Sequence, residues 1–350
     1  MGSRKTVCID GLYIGGSNPV RVESMLKTPL ADIDACIREI GLLTNEGCEL
    51  VRVSFPDLAL AGNLKTLIQN SCVKIMADIH FNHKLALEAL DSGCRAVRIN
   101  PGNMSNSDGV KDVVSLAKAS DAVIRIGANS GSLDNRQLET ANGDRAVALV
   151  HAVEEQIRIL RDENFDNMII SAKSSSVSET LRANAILSQR YDYPIHIGIT
   201  EAGPGMRGIV KGSVGIGALL LQGIGDTLRV SLTGPNAEEV KVGYQILRSL
   251  DIRSRGYNLI SCPTCGRRRI DVAKLTRIVT DLLPGNALNG ITIAVMGCEV
   301  NGPKEASSAD LGIAGSPDGF LIFRHGKYVA SVKENDFEKE FTKIVDTLIE

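Results

Sequence analysis

The 350-residue chain has no surplus of charge of either sign: 39 Lys and Arg stand against 41 Asp and Glu, a formal net charge of −2. That balance supplies no global field for nucleic acid or an anionic membrane surface, so neither is expected as a partner. No apolar run approaches the roughly 20 residues that a membrane-spanning helix requires. The opening MGSRKTVCID carries charge but no apolar signal core, which makes the cytoplasm the expected location. No low-complexity segment interrupts the chain, and cysteine is missing between Cys94 and Cys262. With 43% hydrophobic and 23% charged residues, the composition is that of an ordinary globular protein. At roughly 100–200 residues per domain, the length predicts two or three domains.

The first 250 residues repeat one pattern, a short β-branched run followed by a helical stretch. Strands are expected at Val20–Met25, Leu50–Phe55, Lys74–His80, Ala96–Pro101, Ala122–Asn129, Met168–Ser175, Pro194–Ala202 and Thr227–Thr233. Their near-continuous apolar character suits parallel strands covered on both faces. Thr28-Pro29 is expected to open the first helix and Gly47 to end it. This alternation predicts an α/β fold, a (β/α)8 TIM barrel over residues 1–250, with a doubly wound open sheet as the alternative. Residues 251–261 read as a charged linker. Residues 262–350 read as a small α+β domain, with a helix at Arg269–Leu283, a strand at Ile291–Gly297 and a hairpin around His325-Gly326. A final helix is expected to be capped by Asn335.

Polar residues recur where the expected strands end, which is where a barrel builds its active site. They are Ser24, Arg52, Asp78 with His80, Arg98 with Asn100, Arg125 with Asn129, Lys173 with Ser175, Glu201, and Ser231. An Arg embedded among Val and Ile must be desolvated, which is costly unless an anion meets it. Each one could instead pair with a carboxylate inside the barrel. For Arg52, Arg98, Arg125 and Lys173 together, however, only Asp78 and Glu201 are evident partners. The excess points to phosphate or diphosphate, which Arg binds through bidentate hydrogen bonds. Loss of Arg125 is accordingly expected to weaken anion binding while sparing stability. Gly203-x-Gly205-x-x-Gly208 matches a dinucleotide fingerprint, but the acidic residue that should end the next strand is missing, so it reads as a βα loop.

Without a signal core, eight cysteines point to metal or catalytic chemistry rather than disulfides. Cys8, Cys36, Cys48, Cys72 and Cys94 are scattered and read as small buried hydrophobes. Cys262-Pro-Thr-Cys265-Gly with Cys298 is different. A CxxC loop ending in Gly turns thiolates toward one metal, yet a zinc ribbon needs a second CxxC. Three thiolates with Glu305 as a weak oxygen ligand suit an iron–sulfur cluster better than a closed zinc site, though both stay open.

The chain resembles the bacterial 4-hydroxy-3-methylbut-2-enyl diphosphate synthases of the non-mevalonate isoprenoid pathway. The resemblance runs along nearly the whole chain. It is carried by VESM (22–25), GCELVRVSFPD (47–57), ADIHFNHKLALEA (77–89), VRINPGN (97–103), IRIGANSGSL (124–133), ISAKSS (170–175), GITEAG (198–203), GIGDTLRVSLT (223–233), SCPTCGR (261–267) and VMGCEVNGPKEA (295–306). Two positions depart from the family pattern: Glu23 stands where Gln is expected, and Lys304 where Gly is usual.

The resemblance implies reductive ring opening of 2-C-methyl-D-erythritol 2,4-cyclodiphosphate by a two-domain TIM-barrel enzyme. It implies a [4Fe–4S] cluster on Cys262, Cys265, Cys298 and Glu305, fed by reduced flavodoxin or ferredoxin. Arg52, Arg98, Arg125 and Lys173 would hold the diphosphate, with Asn100, Asn129 and Ser231 as hydrogen-bond partners. Asp78 and His80 would position the ring, and Glu201 would act as acid or proton relay. A homodimer with shared sites is also expected. The helix Asn236–Leu250 carries the chain ~22 Å away from the catalytic mouth, at ~1.5 Å per residue. The linker then spans at most ~36–40 Å, nearly all of which a return would consume.

Overall fold

The computed structural model describes residues 3–79, 82–100, 102, 107–283, 288–299 and 302–349, without the side chains of Ser107, Glu305 and Ile349. The chain divides into two compact units, Met1–Arg253 and Ser254–Glu350.

The first unit opens with a hairpin of β1 (Thr6–Ile9) and β2 (Leu12–Gly15) that the strand pattern above does not contain. Its turn is Asp10-Gly11, with φ of 48° and 88°. Positive φ at both central residues is what a tight two-residue hairpin demands, and Asp-Gly supplies it. Ten further strands follow: β3 (Arg21–Met25), β4 (Leu50–Ser54), β5 (Lys74–Asp78), β6 (Ala96–Arg98), β7 (Val123–Arg125), β8 (Ala128–Asn129), β9 (Met168–Ile169), β10 (Ala172–Lys173), β11 (His196–Ile197) and β12 (Thr227–Leu228). Eight of them form one parallel sheet in the order β11-β12-β3-β4-β5-β6-β7-β9. A parallel bridge between Ile170 and Ile195 closes it into a barrel. Two of the expected strands are therefore interrupted, β7/β8 and β9/β10, and their upper halves pair with each other. At that break an added Cβ on Gly127 would lie 2.6 Å from the Ser171 carbonyl oxygen, too close for any side chain.

Helices cover the outside, each burying one apolar stripe. Helix Ile33–Asn45 buries Cys36, Ile40 and Leu43. Its cap is Asp32, whose side chain accepts from Ala35 N–H at 3.0 Å, not Thr28. Pro29 instead makes a turn, its carbonyl accepting from Asp32 N–H, and this delays the helix by one turn. At the barrel floor, Val7, Ile9 and Ile14 of the hairpin pack on Leu50, Met76, Ala96, Val123 and Ile169.

The second unit is a five-stranded sheet in the order β13 (Asn258–Ser261), β14 (Thr292–Met296), β15 (Leu311–Ser316), β16 (Gly319–Arg324) and β17 (Lys327–Val332). The first three are mutually parallel, and the β15–β16–β17 pairings are antiparallel. Helices Val272–Leu282 and Phe337–Ile349 pack on it around Val279, Ile293, Ile313, Ile322 and Phe341. Residues 258–261, read from sequence as linker, form an edge strand. Their half-buried Leu259 and Ile260 give little alternation to read. Asn335 lies in a 3₁₀ turn, Glu334–Asp336, ahead of the last helix rather than at its start.

Candidate active site

Side chains alternate faces along a strand. In the barrel, Leu50, Met76, Ala96, Val123 and Ile169 form the apolar floor. Two residues further along the chain in each case stand Arg52, Asp78, Arg98 and Arg125, on the same strands, and Ser171, between β9 and β10. These line a cavity of about 290 Å³, and Lys173, His196 and Arg229 complete its polar wall. The cavity is small for a ligand pocket, whose usual range is roughly 300–1,000 Å³. It lies towards the C-terminal strand ends, where barrels place their chemistry.

Five cations face this space, and three carboxylates meet them. Asp78 lies between Arg52 and Arg98, with Oδ2 3.4 Å from Arg52 Nε and Oδ1 3.2 Å from Arg98 Nη1. Glu23 pairs with Arg125 through a short contact, both side chains being within 2% of complete burial. Glu239, on the first turn of the helix Asn236–Ser249, reaches Arg229 at 3.2 Å and accepts from Leu232 N–H at 3.0 Å. The carboxylate count therefore needs correction. Asp78 has two unforeseen companions, while Glu201 meets no cation among the described residues.

Lys173 has no hydrogen-bond partner among the described residues. Burial, reinforced by the Arg52 and Arg125 charges, holds its amine well below the usual 10.5. Burial and the Arg125 charge likewise push Arg52 down to about 10. Burial raises the Glu23 carboxyl, but the Arg125 and Arg52 charges outweigh it and hold the pKa below the ordinary value. An anion in the cavity would relieve this crowding of positive charge.

Of the residues singled out from sequence, Arg52, Asp78, Arg98, Asn100, Arg125, Asn129, Lys173 and Ser231 line this one cavity. His80 lies outside the described residues. Glu201 is not among the lining residues. It sits exposed in a turn with φ of 51°, although its neighbour Thr200 does line the cavity. The regular strand stops at Ile197, so its alternation does not carry through to Glu201.

Sequence reasoning missed Glu23, His196, Arg229 and Glu239. Arg229 was within reach of the rule that found the other arginines, since it lies between Leu228 and Val230 on an interior-facing register. Glu239 was not, because helix-borne carboxylates are common on exposed faces.

In the second unit, Cys262 directly follows β13 and Cys298 lies two residues beyond β14. The strands are parallel neighbours, with Ser261 opposite Val295, so both cysteines leave from the same end of the sheet. Cys262 N–H donates to the Val295 carbonyl at 2.9 Å, and Arg269 N–H donates to the Gly297 carbonyl at 2.8 Å. The loop carrying Cys265 is thereby fastened at both ends beside Cys298. Cys262 Sγ accepts from Thr264 N–H at 3.3 Å, a polarising contact for a thiolate ligand. Among the described residues no three Cys, His, Asp or Glu side chains yet converge on one point. Glu305 ends the short helix Gly302–Glu305, and its side chain lies outside the description. The donor set and its shared strand end fit a thiolate-held metal centre.

Of the other five cysteines, Cys36, Cys48 and Cys94 are buried, Cys8 is half-buried and Cys72 is exposed. Burial pushes the Cys48 thiol up to about 12 and the Cys36 thiol up to about 11, as expected of inert core residues. Cys72 departs from the sequence reading because it lies in the loop after helix Ala61–Asn70.

The fold and the cavity define a TIM-barrel protein with a cation-lined cavity inside the barrel. The family model described as GcpE TIM-barrel domain matches residues 4–244, and that described as GcpE protein C-terminal domain matches residues 258–347. The chain belongs to the GcpE family. A 4-hydroxy-3-methylbut-2-en-1-yl diphosphate synthase (flavodoxin) from Lawsonia intracellularis is 46% identical over 346 residues, covering 97% of this chain and 96% of that one. The proteins of the same name from Nitratidesulfovibrio vulgaris and Clostridium perfringens are 47% and 42% identical. They cover 94% and 98% of this chain, and 85% and 98% of their own lengths.

Among solved structures, a dihydropteroate synthase from Stenotrophomonas maltophilia superposes with a TM-score of 0.50 at 13% identity, over 70% of this chain and 98% of that one. It supports the fold alone. No described helix is long and apolar enough to cross a membrane.

Proposed function

We infer that the chain catalyses the reductive ring opening and dehydroxylation of 2-C-methyl-D-erythritol 2,4-cyclodiphosphate to (E)-4-hydroxy-3-methylbut-2-enyl diphosphate, a step of isoprenoid precursor biosynthesis. It is an oxidoreductase. The observation that carries this reading is the five-cation cavity, which three carboxylates leave short of negative charge. Arg52, Arg98, Arg125, Lys173 and Arg229 hold the diphosphate, each through charge-assisted hydrogen bonds. Asn100, Asn129 and Ser231 take its remaining oxygens, and Asp78 with His80 orients the ring. Glu201 is the proton relay to the leaving hydroxyl, a role that requires the turn after Thr200 to bring its side chain inward.

Cys262, Cys265 and Cys298, with Glu305 as the fourth and most exchangeable ligand, would hold a [4Fe–4S] cluster. When bound, the cluster supplies the two electrons of the reduction, taken one at a time from reduced flavodoxin or ferredoxin. Eight cysteines with no disulfide among them and a diphosphate metabolite suit the cytoplasm. The direct test is an anaerobic assay with the cyclodiphosphate, a reductant and product detection. No product from a protein with full iron and sulfide content would refute the reading.

The active assembly is a homodimer in which one chain's barrel works with its partner's cluster domain. Supporting association of two copies, Met206, Val210, Val214 and Leu221 form an exposed apolar stripe along the helix Gly205–Leu221, each more than half exposed. The test mixes two inactive proteins, Arg52→Ala and Cys298→Ser, under subunit exchange. Recovery of up to half a dimer's activity is expected, and a mixture that stays dead would show each site to be built within one chain.

A further inference from the structure

One ionisable group in the cavity wall has no part in the charge balance. His196, on β11, is completely buried and lines the cavity. Its Nδ1 lies 2.7 Å from Thr227 Oγ1 and 3.5 Å from Glu23 Oε2. Its Nε2 is buried with no hydrogen-bond partner among the described residues. Native proteins rarely leave such an atom unpaired, so a bare ring nitrogen in a cavity wall calls for a partner from the ligand.

The neighbours decide which nitrogen carries the proton. A carboxylate 3.5 Å from Nδ1 attracts a proton there and repels a lone pair. The proton therefore sits on Nδ1, facing Thr227 and Glu23, and Nε2 is an acceptor. A second proton is disfavoured, because burial and the charges of Lys173, Arg125, Arg52 and Arg229 hold the imidazole well below its usual 6.5. The five surrounding cations offer only donors. A diphosphate group satisfies them with its oxygens but gives nothing to Nε2. A ligand that satisfies both carries a hydroxyl beside its phosphates.

We propose that His196 reads a hydroxyl of the bound phosphorylated ligand through Nε2, and that Glu23 is the positioning residue that fixes its tautomer. Glu23 thereby links two parts of the site, since the same carboxylate pairs with Arg125. The carboxylate matters here: an amide at position 23 could present its N–H to Nδ1 and so move the ring proton to Nε2.

This inference rests on the cavity being the cyclodiphosphate site, and the test separates the two. Binding to the full-length protein is measured by calorimetry with two probes, the cyclodiphosphate and inorganic diphosphate, which has no carbinol hydroxyl. His196→Leu keeps an apolar side chain in the buried position. It is expected to weaken the cyclodiphosphate roughly tenfold, the scale of one net hydrogen bond, and to leave inorganic diphosphate unchanged. His196→Gln, which returns an acceptor near the Nε2 position, should recover much of the loss. Glu23→Gln should weaken the cyclodiphosphate relative to inorganic diphosphate, whose own affinity shifts because Arg125 loses its carboxylate partner. Imidazole ¹⁵N shifts in the same protein should show a bare Nε2 that responds to the cyclodiphosphate only.

Equal weakening of both probes by His196→Leu would make the residue merely structural and overturn the inference while leaving the cavity reading intact. A proton found on Nε2 in the wild type would also overturn it. Failure of the wild type to bind either probe would overturn the cavity reading and the inference together.

Discussion

The barrel cavity and the cysteine loops are assembled in opposite ways. In the barrel, the charged groups are buried or half-buried on or beside the strands, apart from Glu239 on a helix, and all of the arginines face a named carboxylate. In the second unit the thiols sit on loops beyond strand ends, Cys265 is exposed, and among the described residues no three ligand-type side chains converge. The difference teaches where the organising energy comes from. Floor packing and the hydrogen-bonded sheet prearrange the cation cavity before any ligand arrives. The cysteines are only brought to one end of a sheet, and in the function proposed above metal–thiolate bonds would complete their site. Metal binding can supply such energy, since apparent values of ~10–16 kcal/mol are known for structural zinc in zinc-finger peptides.

The sharpest way to break this contrast is to remove one thiol. Cys298→Ser should abolish cluster content and turnover while diphosphate binding to the barrel stays at the wild-type level, checked by iron and sulfide analysis beside calorimetry. Full iron content in that variant would remove Cys298 from the ligand set. Glu305→Ala should be milder, with a cluster that forms but is lost more readily.

Next in size is Arg125→Ala. The expectation that this substitution spares stability does not survive the finding that Arg125 neutralises buried Glu23. Its removal breaks a buried ion pair and takes from Glu23 its closest cation, which costs up to about 3–5 kcal/mol. The melting temperature should therefore fall as well as the diphosphate affinity. Adding Glu23→Gln should restore much of the stability but not the affinity.

Lys173→Met should act the other way. The lysine is a desolvated cation without a partner among the described residues, so its replacement should raise the ligand-free melting temperature while weakening diphosphate. The pH sign follows from its depressed pKa. Between that value and the ordinary 10.5 the unfolded chain binds the proton more strongly than the folded one, so ligand-free stability from this group rises with pH. The rise should be missing in Lys173→Met. Because an anion raises the lysine pKa again, diphosphate binding should take up a proton in that window, which calorimetry in buffers of different ionisation enthalpy would reveal.

The smallest effect is expected from Asp271→Ala. Asp271 caps the helix Val272–Leu282, accepting from Lys274 N–H at 3.0 Å, just after the cysteine loop. Losing a cap costs about 1 kcal/mol. It should lower the melting of the second unit alone, and any change in diphosphate binding would show that the units are energetically coupled.

Much of the barrel could be read from the chain because its signals are local. Parallel strands buried on both faces leave apolar runs, and the interior register shows as a period of two, as in Leu50 then Arg52 or Val123 then Arg125. The hairpin β1–β2 was equally available through its Asp10-Gly11 turn, but its short strands resemble the loop segments around them. The two-residue strands β11 and β12 show the limit of this reading. Beyond Ile197 no regular alternation remains to say whether Glu201 faces the cavity.

Spacing along the chain alone was enough to mark Arg52, Arg98, Arg125 and Lys173 as cavity residues and to set Cys262, Cys265 and Cys298 apart from the other cysteines. Only the tertiary structure decided how the charges are matched. Glu23 lies 102 residues from Arg125, and His196 meets Thr227 and Glu23 from two other strands. Such meetings depend on the register in which eight strands close into a barrel. That register is set by floor packing and by the closing bridge, to which every strand contributes and which no single segment encodes.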